Sequence, residues 1–131
     1  MTAVIGLDFG TESARALVVD VHDGRILGSG VAPYRHGVID EQLPSTGVAL
    51  GAEWALQDPG DWLEAMETSV REALARAGVA AADVVGLGID FTSCTVLPVT
   101  SVGVARTTLF ADTESLLPPS RETWKEPSFC R

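Results

Sequence analysis

The first twenty residues change from an apolar run to a polar turn and back, and this change limits the folds open to the chain. Residues 4–7 (VIGL) are mainly strand formers, and Asp8 ends the run. Residues 9–13 (FGTES) then supply a glycine and small polar side chains that favour a turn. The β-forming residues 14–20 follow at once. The pattern predicts a strand, a tight polar turn and a second strand that runs back beside the first.

The predicted turn carries the donor groups that a phosphate needs. Backbone N–H groups near Gly10 and the hydroxyls of Thr11 and Ser13 can donate hydrogen bonds to phosphate oxygens. Asp8 can hold Mg²⁺ through its water ligands, because Mg²⁺ dehydrates reluctantly. Arg15 lies on the return strand as a counter-charge. An ordinary hairpin with an exposed acid is the alternative, since a D-x-G-T motif is short.

A third strand is predicted to complete an antiparallel meander. The dipeptide Asp23-Gly24 is typical of a hairpin turn, and residues 26–34 follow it as the third strand. Gly28 and Gly30 are expected to weaken this strand. The polar turn then lies at one end of the meander.

Residues 58–78 have the clearest helix pattern in the sequence. Asp58 is a good N-cap, Pro59 fits the first helical position, and Gly78 suits the C-terminal end. An apolar stripe at helical spacing is predicted to pack on the sheet, and it consists of Trp62, Met66, Val70, Ala73, Leu74 and Ala77.

A second apolar run, residues 84–90 (VVGLGID), is typical of a strand buried on both faces. Residues 5–9 and 87–91 share the pattern apolar-Gly-apolar-Asp-Phe. In parallel neighbours this pattern would bring Asp8 and Asp90 to the same carboxyl edge, where open α/β sheets bind ligands. The sequence therefore predicts an α/β fold whose mixed sheet combines a three-strand meander, a crossover helix and a parallel strand.

The connection formed by residues 35–57 is longer than a compact domain usually carries without a function. An ordinary surface loop, with or without short strands, is the alternative. His36 within it is interpreted as a hydrogen-bonded loop histidine rather than as a catalytic base.

Four stretches of the chain resemble a known family. Residues 4–20 (VIGLDFGTESARALVVD) are similar to the first phosphate motif of the superfamily of sugar kinases, actin and heat-shock chaperones, and within it to the FGGY carbohydrate kinases. Residues 34–41 (YRHGVIDE), 54–57 (WALQ) and 88–99 (GIDFTSCTVLPV) are similar to ribulokinases. The resemblance implies a ribonuclease H-like, actin-like ATPase domain, of which this chain would form an incomplete first lobe. It also implies that the long connection, residues 35–57, lies near the sugar cleft.

The resemblance also implies an activity, namely MgATP-dependent phosphorylation of a ketopentose, above all L-ribulose to L-ribulose 5-phosphate in arabinose catabolism. The general base is implied to lie beyond residue 131, so the isolated chain is expected to have no appreciable kinase activity. Another FGGY kinase such as a xylulokinase, or a non-enzymatic actin-like nucleotide-binding module, remains an alternative. The implied site residues are Asp8 for the metal, Gly10, Thr11, Ser13 and Arg15 for ATP phosphates, and Asp90 and Ser93 for the sugar.

The resemblance ends near residue 100. Residues 1–100 contain 5 basic and 14 acidic residues, whereas residues 101–131 contain 4 of each. Prolines interrupt any periodic pattern in this second part. We therefore predict a kinase-like part, residues 1–100, and a divergent, poorly ordered tail, residues 101–131. The tail is interpreted as foreign to the fold, as a truncation or a shifted reading frame could produce, and a genuine variant ending is the alternative.

Charge and hydropathy narrow the possible partners and location. The net charge of −9 argues against a nucleic-acid surface, which needs clustered Lys and Arg. No stretch approaches about 18 uninterrupted apolar residues, and no basic region precedes the first apolar run, so neither a membrane span nor a secretory signal is predicted. We expect a cytoplasmic protein with a small sugar as its partner.

Overall fold

A computed structural model describes residues 2–52 and 54–92 of the chain. These residues form four strands and one long helix in the order β1 (Ala3–Phe9), β2 (Ser13–Asp20), β3 (Ile26–Pro33), α1 (Pro59–Ala77) and β4 (Val84–Phe91). A short 3₁₀ turn, Ala81–Asp83, leads into β4. Ser93 and residues 101–131, to which the sequence assigns a sugar contact and a divergent tail, lie outside the described residues.

The four strands form one mixed sheet with the strand order β3-β2-β1-β4. β2 is antiparallel to both β1 and β3, whereas β4 is parallel to β1. A parallel neighbour needs a long crossover connection, and α1 provides it between β3 and β4. The predicted meander, crossover helix and parallel strand are therefore confirmed.

The two ends of α1 are set by local sequence, as predicted. Asp58 caps the first turn, and its side chain accepts a hydrogen bond of 2.8 Å from the Gly60 N–H. Pro59 occupies the first helical position, where its missing N–H costs nothing. Gly78 ends the helix with φ 64°, and its N–H donates to the carbonyls of the last turn.

The helix lies against β2 and β3, and small residues are at the centre of the contact. Ala65, Ser69 and Ala73 are buried there, while the larger residues of the predicted stripe are only partly buried beside them. A Cβ atom at Gly28 would lie 2.5 Å from the Ala73 carbonyl oxygen, and one at Gly30 would overlap the backbone of Ser69. The two glycines thus let the helix backbone approach β3 directly.

No residue of the apolar strand β4 is buried in the described part of the chain, so its predicted burial on both faces is wrong there. Val85, Leu87, Ile89 and Phe91 are 54–68% exposed. The reason is that α1 covers β2 and β3 and barely reaches β1. Among the described residues, β4 pairs with β1 alone.

The long connection contains two isolated antiparallel bridges, Ile39 with Leu56 and Gln42 with Ala49. Between them the chain turns back at Leu43, whose carbonyl accepts hydrogen bonds from Thr46 and Gly47. The long connection is therefore a folded loop whose two ends lie close together. In the ranges that the structure describes, no helix is both long enough and apolar enough to cross a bilayer.

Candidate phosphate-binding site

The turn between β1 and β2 lies at the carboxyl edge of the sheet. It is closed by a hydrogen bond of 2.9 Å from the Gly10 N–H to the Ser13 carbonyl oxygen. Thr11 and Glu12, at its tip, are exposed. The turn can therefore be reached by a ligand from solvent.

Tyr34 lies beneath the turn and binds two of its carbonyl oxygens. The Tyr34 hydroxyl donates to the Gly10 oxygen at 3.0 Å, and the Tyr34 backbone N–H donates to the Glu12 oxygen at 2.8 Å. The tyrosine is 6% exposed, in a cluster with the buried alanines Ala14, Ala32 and Ala65. Its position under the turn is consequently fixed by packing as well as by hydrogen bonds.

Gln57, at the other end of the long connection, binds the third carbonyl of the turn. Its Nε2 donates to the Thr11 oxygen, and its Oε1 accepts a hydrogen bond of 3.2 Å from the Trp62 indole N–H. Since an indole N–H can only donate, the contact with Trp62 determines which end of the amide faces Thr11.

Apart from the Gly10 N–H, which closes the turn, several hydrogen-bond donors of the turn remain available. In the part of the chain that the structure describes, no partner is found for the N–H groups of Thr11 and Glu12 or for the hydroxyls of Thr11 and Ser13. Consecutive N–H groups of this kind form a concavity that suits an anion. The turn thus has its carbonyl oxygens bound to the protein, while the N–H groups of Thr11 and Glu12 and the two hydroxyls are free for a phosphate.

Asp8 and Arg15 face each other on the side of the sheet opposite α1. The Arg15 Nη1 lies 2.9 Å from the Asp8 Oδ2, and the two side chains are 55% and 48% exposed. An exposed pair of this kind contributes at most about 1 kcal/mol to stability. Arg15 can therefore exchange Asp8 for a phosphate oxygen at little cost.

The parallel register places Asp90 beside Asp8, as the repeated sequence pattern predicts. Asp90 uses its Oδ1 to accept a hydrogen bond of 2.9 Å from the Phe91 N–H. Carboxylate oxygens are the hard ligands that Mg²⁺ prefers, so this donor set fits a hydrated magnesium ion.

The pKa of Tyr34 is raised above its ordinary value of 10.0, first by burial and then by the negative charges of Asp8 and Asp61, while Arg15 lowers it. The hydroxyl therefore stays protonated at physiological pH and can donate to Gly10.

A pH-dependent loss of stability follows from this shift. Because the pKa of Tyr34 is higher in the folded than in the unfolded chain, Tyr34 contributes to the free energy of unfolding. This contribution is complete below the unfolded pKa of about 10 and is lost as the pH rises through the folded pKa. We expect Tyr34→Phe to lower the free energy of unfolding by about 1 kcal/mol near neutral pH. At alkaline pH the difference in unfolding free energy between the variant and the wild type should become smaller. Tyr34 is the single tyrosine, so tyrosinate absorbance measures its titration directly, and urea unfolding from pH 7 to 11 measures the stability. An unchanged difference across that range would contradict the assignment.

His36 ties the start of the long connection to the first turn of α1. Its backbone N–H donates to the Asp61 Oδ2 at 2.8 Å, and its Nδ1 lies 3.0 Å from the Asp61 Oδ1 and 3.7 Å from the Asp58 Oδ2. The three side chains have ligand atoms within 4.8 Å of one another, a spacing that a metal ion could use. Loop anchoring accounts for all of these contacts, in line with the interpretation of His36 as a loop histidine.

The roles of Tyr34 and Gln57 were not predicted from the sequence. Both residues lie in stretches that resemble ribulokinases, and they bracket the unusually long connection. That bracketing is the one sequence feature that could have indicated them. The structure brings together all the predicted phosphate and metal residues, whereas Ser93 lies outside the described residues.

Two solved structures resemble this fold. A protein described as a xyloylose kinase from Brucella ovis gives a TM-score of 0.63 at 20% identity, covering 79% of this chain and 19% of that one. A xylulose kinase from Rhodospirillum rubrum gives 0.58 at 22% identity over the same shares. These matches confirm the predicted actin-like ATPase fold and, at such identities, carry no information on the substrate.

The sequence is also similar to curated proteins. It is 54% identical over 99 residues to a ribulokinase of Halalkalibacterium halodurans, and 54% identical over 101 residues to a ribulokinase of Mycolicibacterium smegmatis. In both cases the match covers 76% of this chain and 18% of the relative, so the chain spans less than a fifth of those proteins. Residues 3–99 match the N-terminal domain of the FGGY family of carbohydrate kinases. The chain therefore belongs to the FGGY carbohydrate kinases.

Proposed function

We propose that residues 3–92 form the phosphate-binding part of an ATP-dependent sugar kinase. The observation that carries this proposal is the turn at residues 10–13. Tyr34 and Gln57 bind its carbonyl groups at residues 10–12, while the N–H groups of residues 11 and 12 and the hydroxyls of the turn have no partner among the described residues. A hairpin with no ligand would gain little from this arrangement.

The proposed reaction is in-line transfer of the γ-phosphoryl group of ATP to a sugar hydroxyl, which depends on positioning and charge neutralisation. Thr11 and Ser13 donate to phosphate oxygens, and Arg15 supplies positive charge. Gly10 allows the turn to close tightly, since a Cβ atom there would lie 3.2 Å from the Ser13 carbonyl oxygen and 3.6 Å from the Arg15 Nη1. Asp8 holds magnesium, which when bound offsets the negative charge of the phosphates.

The proposed substrate is L-ribulose, with L-ribulose 5-phosphate as the product. The support is the 54% identity to proteins named ribulokinase, which extends through the stretch around β4. Asp90 lies at the edge where a sugar would meet the phosphates, and Ser93 is the second proposed sugar contact. Because ATP is the phosphoryl donor, the cytoplasm is the proposed location.

A chimeric enzyme tests this function. Residues 3–99 of this chain replace the matching segment of the Halalkalibacterium halodurans ribulokinase, and phosphorylation of L-ribulose, D-xylulose and glycerol is measured. We expect the chimera to retain the activity of the parent on L-ribulose within about tenfold, because the transplanted residues supply equivalent contacts. A chimera that unfolds cooperatively like its parent but phosphorylates none of the three, or prefers D-xylulose, would overturn the proposal.

A further inference from the structure

We propose that Tyr34 and Gln57 are positioning residues that fix the orientation of the three peptide groups in the turn before any ligand binds. The inference rests on the proposed function only for the identity of the anion. The two residues stand at the two ends of the long connection, 24 and 46 positions away from the carbonyls that their side chains bind. The connection therefore leaves from beneath the turn and returns to it.

The planarity of the peptide bond explains why binding a carbonyl matters to a phosphate. In a trans peptide the C=O and the following N–H point in opposite directions. The contact of Gly10 oxygen with Tyr34 therefore sets the direction of the Thr11 N–H. In the same way, Gln57 sets the Glu12 N–H through the Thr11 oxygen, and the Tyr34 backbone sets the Ser13 N–H through the Glu12 oxygen.

Without these contacts the turn could rotate a peptide group and present a carbonyl to the anion. A carbonyl oxygen carries partial negative charge, so one flipped peptide would replace a donor by a repulsive group. The protein prevents this with two side chains that are themselves oriented, Tyr34 by its buried ring and Gln57 by the Trp62 indole. Donors fixed in advance avoid the reorganisation that would otherwise weaken binding.

Two nearly isosteric variants test the proposal in the ¹⁵N-labelled 131-residue chain. Tyr34→Phe removes the hydroxyl donor to Gly10, and Gln57→Glu keeps the acceptor for Trp62 but removes the donor to Thr11. We expect the backbone order parameters of Thr11 and Glu12 to fall from about 0.85 to below about 0.6 in each variant. The affinity for magnesium tripolyphosphate, followed by amide shifts at the turn, should fall about tenfold or more in Tyr34→Phe, which adds no charge. In Gln57→Glu the new negative charge adds to the loss, so the order parameters are the deciding readout for that variant.

The control is Ser69→Ala, which deletes another hydroxyl that donates to a backbone carbonyl, that of Met66, far from the turn. It should leave both readouts unchanged even if it lowers stability. Turn amides that stay rigid in both variants, or looser amides with unchanged affinity, would overturn the positioning role. Looser amides in the variants, combined with no tripolyphosphate binding by wild type, would leave the positioning role standing and overturn the phosphate function instead.

Discussion

Replacing Gly30 by alanine is expected to lower the free energy of unfolding by about 3 kcal/mol, a large part of the total stability of a small domain. The added methyl group would overlap the Ser69 backbone and would lie 3.0 Å from both the Ala73 nitrogen and the Glu72 Cβ. The Ser69 oxygen and the Ala73 nitrogen belong to the helix backbone, so neither can move without displacing a whole turn of α1. The helix must therefore shift away from β3, and interior packing is lost along the contact.

The matched control for this change is Gly6→Ala in β1. A Cβ atom at Gly6 meets nothing within 4 Å, so this substitution in the same sheet adds a methyl group without a clash. We expect the control to change stability by less than about 1 kcal/mol. Urea denaturation of the three proteins gives the comparison. A loss at Gly30 no larger than that at Gly6 would show that α1 does not dock as closely as the structure indicates.

The docking of α1 also reaches the candidate site. Trp62, in the first turns of the helix, orients Gln57, and Gln57 binds the carbonyl of Thr11. Because Gly30 has no side chain, α1 can approach β3 closely, and the position of α1 in turn helps to hold the turn at residues 10–13. Gly30 itself contacts no part of that turn. We therefore expect a substitution that displaces α1, such as Gly30→Ala, to alter the site without touching it.

Features fixed by neighbouring residues could be predicted from the sequence. Asp58, Pro59 and Gly78 define the ends of α1 through contacts within one turn, which the local sequence contains in full. The pairing of Asp8 with Asp90 was predictable because the two strands share a sequence pattern. The crossover helix predicted a parallel strand, since parallel neighbours require one, but it left open which strand β4 would lie beside.

Features fixed by distant residues could not be predicted in this way. Gly28 and Gly30 look like weak points in a strand until the helix that packs on them is known. Tyr34 is an aromatic residue at the end of a strand, and nothing near it in the sequence shows that its hydroxyl meets Gly10. The burial of β4 was predicted from its composition, but burial depends on which element covers a strand, and α1 covers β2 and β3 instead.

Changing Asp8 to asparagine is expected to lower kcat of the chimeric kinase on L-ribulose by about 10²–10³-fold. This range is typical of the loss of one charge-stabilising group from an active site. Asparagine keeps the size of the side chain but removes the negative charge through which Asp8 is proposed to hold hydrated magnesium. It also frees Arg15, whose charge would then remain next to a neutral amide.

Asp23→Asn is the matched control, because Asp23 is an exposed acid that also pairs with an arginine, Arg25, at the opposite end of β2. This control should retain wild-type activity. Stability should change by less than about 1 kcal/mol in both variants, since both ion pairs are exposed. A folded Asp8→Asn chimera with undiminished kcat would exclude Asp8 from metal binding. The expected result is that Asp8→Asn loses activity while its thermal unfolding is unchanged. The fold would then be intact without the charge, so the loss would belong to the chemistry at the carboxyl edge of the sheet.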